Sequence, residues 1–156
     1  MSKKLKVDTE RRAQETVLRL IGDIDEDADF QSLDLQPSAA YTFDFQGICL
    51  INSCGIREWI NFMRRFDQGT TLTYERCPQI LVEQMNVVRD FFHCGADVRS
   101  FYAPCYCEKC DQETQVLLES KDIRLKLQPE LVCEKCHSPM VFDIDEDLYF
   151  RFLKAG

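Results

Sequence analysis

YTFDFQGICLINSCGI, residues 41–56, decides the fold of this chain. Residues 41–51 are rich in aromatic and β-branched side chains and read as a central strand. Asn52-Ser53-Cys54-Gly55 makes a turn. Beyond it, Ile56, Trp59, Ile60, Met63 and Phe66 recur at helical spacing, with Arg57, Glu58, Arg64 and Arg65 largely on the other faces. The spacing predicts an amphipathic helix over residues 55–67, closed by Asp67-Gln68-Gly69. Trp59, Ile60 and Met63 are assigned to its core side, and Arg57, Glu58 and Asn61 to its exposed side.

Upstream, residues 16–21 read as a buried strand ended by Gly22-Asp23. The polar residues before it are expected to form a flexible lead over 1–14. Residues 23–34 are strongly acidic and run on to Pro37. Asp23, Asp25, Asp27 and Asp29 alternate, with Asp34 at the twelfth position, which partly imitates a calcium loop. Ala28 stands where that loop needs Gly, Asp34 replaces the bidentate Glu, and a strand precedes it. A solvated loop is the preferred reading, with partner binding as the other option.

Downstream, residues 70–75 read as a third strand. Pro78 opens a helix to about His93, with Ile80, Leu81, Gln84, Val87, Val88 and Phe91 on its inner side and Gly95 as its stop. Strands alternating with helices predict an α/β sheet with helices packed on it. From residue 97 the pattern changes. Residues 98–103 read as a strand, two pairs of cysteines follow, and short apolar strands are expected over 116–118 and 123–127. The expected division is an α/β domain over 15–103 and a smaller unit over 104–156. Residues 143–156 suit either a further strand or a docking helix.

The smaller unit carries the clearest chemistry. Cys107-Glu108-Lys109-Cys110 and Cys133-Glu134-Lys135-Cys136 are two C-x-x-C knuckles with 22 residues between them. Two residues between ligands let both thiolates face one ion, and the intervening hairpin brings the second pair across to complete a tetrahedron. The expectation is one structural Zn2+ held by Cys107, Cys110, Cys133 and Cys136 in a zinc ribbon. Four protein ligands leave no open position for catalysis. Such binding is worth on the order of 10 kcal/mol of folding free energy, so the last ~50 residues should lose their fold without metal. Cys105 offers a second route into the first knuckle, but C-x-x-C is the better turn, so Cys105 is placed outside the set. Cys133 to His137 also matches the haem-attachment pattern C-x-x-C-H. Met140 is too close to His137 to reach the opposite haem face, and haem would leave the other knuckle unexplained. A thioredoxin-like pair would need a βαβ setting that the knuckles lack.

Composition narrows the class. The chain has 156 residues, 45% hydrophobic and 29% charged, as in folded proteins. No apolar stretch approaches the roughly 18 residues of a membrane span. The basic N-terminus is not followed by an apolar signal core, so a cytoplasmic location is expected. There, nine cysteines suggest metal binding or buried thiols. The net charge is −8, and residues 104–156 hold seven Lys/Arg against eleven Asp/Glu, which disfavours direct nucleic-acid binding. No phosphate-binding G-x-x-x-x-G-K-[ST], H-E-x-x-H or G-x-S-x-G motif occurs, and an enzyme is not expected. Cys54 with His93 is the one conceivable thiol–base pair.

The turn at 52–55 has two readings. Asn52 or Ser53 can cap the helix, with Gly55 permitting the turn. Alternatively, a phosphate on Ser53 would lie at a helix N-terminus, with Arg57 one turn on as counter-charge. Here the chain resembles a family. Residues 18–25 (LRLIGDID), 43–48 (FDFQGI) and 51–56 (INSCGI) are similar to the STAS domain of bacterial anti-anti-sigma factors, over about residues 15–95. The resemblance implies a strand ending in Gly, a central strand with an Asp, and an Asp-Ser-Ser-Gly turn opening a helix. It implies a non-enzymatic signalling module that docks on a protein partner, often an ATP-binding serine kinase or other regulator, and is released by phosphorylation of the motif serine. Ser53 matches that serine. Asn52 stands where the family has Asp, and Cys54 replaces the second serine. Asn52, Ser53, Arg57, Glu58 and Asn61 are the candidate partner-binding residues. The alternative function is a zinc-ribbon accessory of nucleic-acid machinery acting as a regulator.

Overall fold

The long apolar strand of residues 41–51 is β3 (Ala40–Ile51), the centre of a five-stranded sheet. The computed structural model describes residues 3–88, 91 and 96–154. The sheet order is β1 (Lys6–Arg11), β2 (Thr16–Ile24), β3, β4 (Thr71–Glu75) and β5 (Asp97–Val98). β1 is antiparallel to β2, and the remaining pairs are parallel. This is the expected α/β sheet, and its pairing is mixed. Alternation splits it into two faces. Leu18, Leu20, Phe43, Phe45, Leu72 and Tyr74 point into the core, while Arg19, Asp44 and Glu75 point the other way into ion pairs.

Two helices complete the core. α1 (Ser53–Met63) buries Trp59, Phe62 and Met63. The Trp59 ring meets Phe43, Phe45 and Phe62 at centroid distances of 5.2, 5.3 and 5.4 Å, within the range where edge-on aromatic pairs add to burial. Ile60 is half-buried, where the helical spacing had it in the core. α2 (Gln79–Val87) adds Leu81, Val82 and Met85.

Several expectations need correction. The flexible lead is ordered over β1, which pairs with β2 residue for residue from Lys6 to Arg11. Backbone hydrogen bonds build that strand, so its polar side chains do not betray it. β2 does not end at Gly22. The glycine adopts φ +114 and the strand runs on to Ile24, with Lys3 N–H bonded to the Asp23 carboxylate at 2.7 Å. The acidic loop is not simply solvated: Asp23, Asp25, Ala28 and Phe30 are all buried. Phe30 stacks on Phe62 at 5.0 Å and meets Trp59 edge-on at 5.3 Å, so it fills the core above a crossover that has no helix. α2 stops at Val87, where Val88 turns extended, and Val87 points to solvent at 74% exposure. His93 and Gly95 lie outside the described residues.

The second sheet has the order β7 (Gln112–Glu119), β6 (Ser100–Cys107) and β8 (Val141–Phe142). β6 is tied to the end of β4: Cys77 N–H donates to Ser100 O at 3.2 Å, and Tyr102 N–H donates to Cys77 O at 2.8 Å. Residues 123–127 are not a strand. They hold the end of the short helix α3 (Ser120–Arg124) and a turn with Lys126 at φ 56, and Leu125 and Leu127 lie exposed. The last segment docks as helix: α4 (Glu146–Tyr149) and a 3-10 turn over Phe150–Lys154 pack on α2. Tyr149, Phe152 and Leu153 join the same apolar core as the first sheet.

Candidate metal centre and helix-opening turn

Each knuckle is a tight turn at the end of a strand or bridge. β6 delivers Cys107, and Asp111 at φ 51 reverses the chain into β7 just after Cys110. On the other side, the Val132–Pro139 bridge brackets the second knuckle, His137 adopts φ 59, and His137 N–H closes onto Cys133 O at 2.8 Å. The four Sγ atoms of Cys107, Cys110, Cys133 and Cys136 all lie within 4.8 Å of one another. Cys107 and Cys136 sulfurs are 3.5 Å apart, and Cys110 and Cys133 sulfurs 3.9 Å. A disulfide needs about 2.05 Å. Tetrahedral thiolates at a zinc–sulfur distance near 2.3 Å sit about 3.8 Å apart, which these separations bracket. The donor set therefore fits one tetrahedral metal ion.

The surroundings favour thiolate at the second knuckle. The Ser138 hydroxyl and backbone N–H pull the Cys136 thiol down to about 6. Backbone N–H groups of Cys136 and Lys135 lower Cys133. Cys110 N–H points at Cys107 Sγ at 3.4 Å. Cys110 itself is pushed up to about 12 by its bond to Cys136, because adjacent thiols cannot all ionise without a cation between them. Cys107 and Cys133 are buried and the other two half-buried. Cys105 is not among the clustered four. It lies fully buried in the apolar bed with Met140, its Sγ 3.8 Å from Ala103 O, and burial pushes its thiol up to about 11.

The turn before α1 is built from its glycine. A Cβ on Gly55 would lie 1.9 Å from Ile24 O, so only glycine lets the helix start against the end of β2. Asn52 is the cap: its Oδ1 accepts Gly55 N–H at 2.9 Å, and Asn52 N–H donates to Ile24 O at 3.2 Å. Asn52 Nδ2 in turn donates to the Glu26 carboxylate at 2.9 Å, joining the acidic loop to the turn. Ser53, Cys54, Arg57 and Asn61 are exposed, while Glu58 is half-buried. His93, the partner imagined for Cys54, is outside the described residues.

Sequence reasoning missed a second buried polar cluster. Asp44, 4% exposed, receives both Nε and Nη2 of Arg76, with Arg19 Nε at 4.0 Å. Arg76 adopts φ 51 and its N–H donates to Ser100 Oγ at 2.9 Å. The Asp in the central strand was visible, but its partner lies 32 residues on and no local pattern marks it.

The chain is similar to the crystal structure of an anti-sigma factor antagonist from Mycobacterium paratuberculosis, at 13% identity and a TM-score of 0.45, over 54% of this chain and 77% of that one. No family model matches the sequence. No curated protein matches it. Among the described residues, no helix is long and apolar enough to cross a membrane.

Proposed function

We propose that this chain is a cytoplasmic, non-enzymatic regulatory module of a bacterial signalling system, STAS-like in residues 15–103, that docks on a protein partner through the head of α1. A structural zinc ion in residues 104–156 completes it, on Cys107, Cys110, Cys133 and Cys136. The observation that carries the docking reading is the contrast at residues 52–55. Gly55 and Asn52 are pinned by backbone contacts to β2, while Ser53, Cys54, Arg57 and Asn61 face outward. A surface held rigid before binding loses less freedom on association.

The same turn supports a switch at Ser53. A phosphate there would gain from the helix N-terminus and from Arg57 one turn on. It would also stand near Glu26, whose carboxylate is held against Asn52. The phosphate would thus change the charge of this face, which is what partner release requires.

Native mass spectrometry of the tagged chain, purified gently from its own cells, tests the reading. The expected species is a complex of the zinc-bound chain with a second polypeptide. Ser53→Asp or Arg57→Glu should deplete that polypeptide while the zinc stays. A partner retained equally by both variants would overturn the α1 docking face.

A further inference from the structure

The C-terminal segment reaches the α/β core through a short strand pairing and a set of side-chain contacts. It leaves the second knuckle through β8, which pairs with β6 only at Cys105 and Tyr106. Asp143 N–H then bonds to Pro104 O at 2.9 Å, and Asp145 caps the four-residue α4. Beyond that lie Tyr149, Phe152 and Leu153, all buried. Tyr149 OH donates to Tyr102 O at 2.5 Å, and Asn86 Nδ2 on α2 donates to Tyr149 O at 3.0 Å. Phe152 packs edge-on against Phe101 at 5.0 Å. The segment therefore lies as a strap over α2 and the start of β6.

A two-residue strand and a single helical turn have no stability alone. The chain between α3 and β8 is equally thin, with the Val132–Pro139 bridge and the Met140 N–H bond to Leu131 O at 2.9 Å closing it. The two sulfurs of residues 133–136 cluster with those of Cys107 and Cys110, and Lys135 Nζ reaches Gln112 Oε1 at 2.5 Å. We propose that metal occupancy of the four cysteines latches the strap, residues 143–154, onto α2, so that metal loss uncovers the apolar flank of α2 well outside the ribbon. The latch rests on the metal-centre reading. It turns the centre from a local staple into a control on the exposure of the flank of α2 that carries Asn86, whose side chain bonds to Tyr149 O.

Hydrogen exchange read by mass spectrometry on the full chain tests this, with zinc content measured in parallel. The zinc-loaded chain is compared with the same chain stripped by EDTA. The latch expects amides of α2 and of the strap to exchange on the order of tenfold faster after stripping, with those of β2 and β3 unchanged. Loss of protection in residues 125–142 alone, with α2 still protected, overturns the latch and leaves the metal centre standing. A loaded chain without stoichiometric zinc overturns the centre, and the latch with it. If stripping unfolds the whole chain, Phe152→Ala decides. With zinc fully retained, this variant must deprotect α2, and unchanged protection there overturns the strap's role.

Discussion

Replacing Gly55 by alanine tests the seating of α1 more sharply than any other single change. The new methyl would meet Ile24 O at 1.9 Å, Ile24 C at 2.3 Å and Asp25 N at 2.8 Å. All three are backbone atoms at the end of β2, so no side chain can rotate aside. The head of the helix must retreat by about 1.5 Å to restore ordinary contact. Alanine gains up to about 1 kcal/mol over glycine from helix propensity. Overpacking of this kind costs about 1–3 kcal/mol, and the shift also loosens Trp59 and Phe62, which are fully buried on the same helix. With the loosened core included, the net expectation is a loss of about 1–3 kcal/mol. With a urea slope of about 2 kcal/mol/M, the midpoint should fall by about 0.5–1.5 M. Trp59 is the only tryptophan and reports directly on the helix. Gly69→Ala is the control: nothing lies within 4 Å of its Cβ, and its midpoint should barely move. A Gly55→Ala midpoint equal to wild type would refute the close seating, and with it the rigid presentation of Ser53.

Other outcomes follow from the same contacts. Cys110→Ser or Cys133→Ser should yield protein without stoichiometric zinc, whereas Cys105→Ser should keep the ion; metal analysis of the three variants checks the ligand set. Phe30→Ala should cost about 3–5 kcal/mol in chemical denaturation, as for a core aromatic and unlike a loop residue. Glu15 is held below its ordinary value, first by the Thr42 hydroxyl, which donates to it at 2.7 Å, and then by Arg12. Its contribution is therefore complete above the unfolded carboxyl range, near 4.5, and is lost as pH falls below that. Glu15→Gln should flatten the acid limb of a stability profile, and an unchanged limb would show that the ionisation of Glu15 carries no stability.

The parts of the fold legible in the sequence were those whose side chains do the burying. Residues 41–51 are rich in aromatic and aliphatic side chains because β3 is central, and Trp59 and Met63 keep the helical period because α1 has one buried face. The four clustered cysteines were legible for a different reason: tetrahedral coordination needs that spacing whatever the surrounding chain does. What stayed hidden was held by backbone or by distant partners. β1 carries Lys6, Asp8, Glu10 and Arg11 on an edge, so nothing in its hydrophobicity marks a strand. α3 has a single apolar residue, Ile123, and a helix that short owes its form to its neighbours. Phe30 sits in an acidic run that reads as solvated, and only Trp59 and Phe62, some thirty residues on, explain its burial.

The loop that misled the sequence reading also shapes the candidate docking face. A parallel connection between neighbouring strands usually runs through a helix. Here residues 25–39 make the crossover without one, and Phe30 supplies the apolar cover. Because the loop is pinned there, and Arg65 Nη1 bonds to Phe30 O at 2.9 Å, its acidic stretch cannot drift away from α1. Glu26 is thereby carried to the Asn52 side chain, at the very turn that opens the helix. The cap and the acidic loop thus form one surface, and a charge placed on either is felt by both. On the proposed reading, a partner that accepts the unmodified turn must tolerate one fixed carboxylate beside it. A phosphate on Ser53 would confront that partner with about two further negative charges on the same surface.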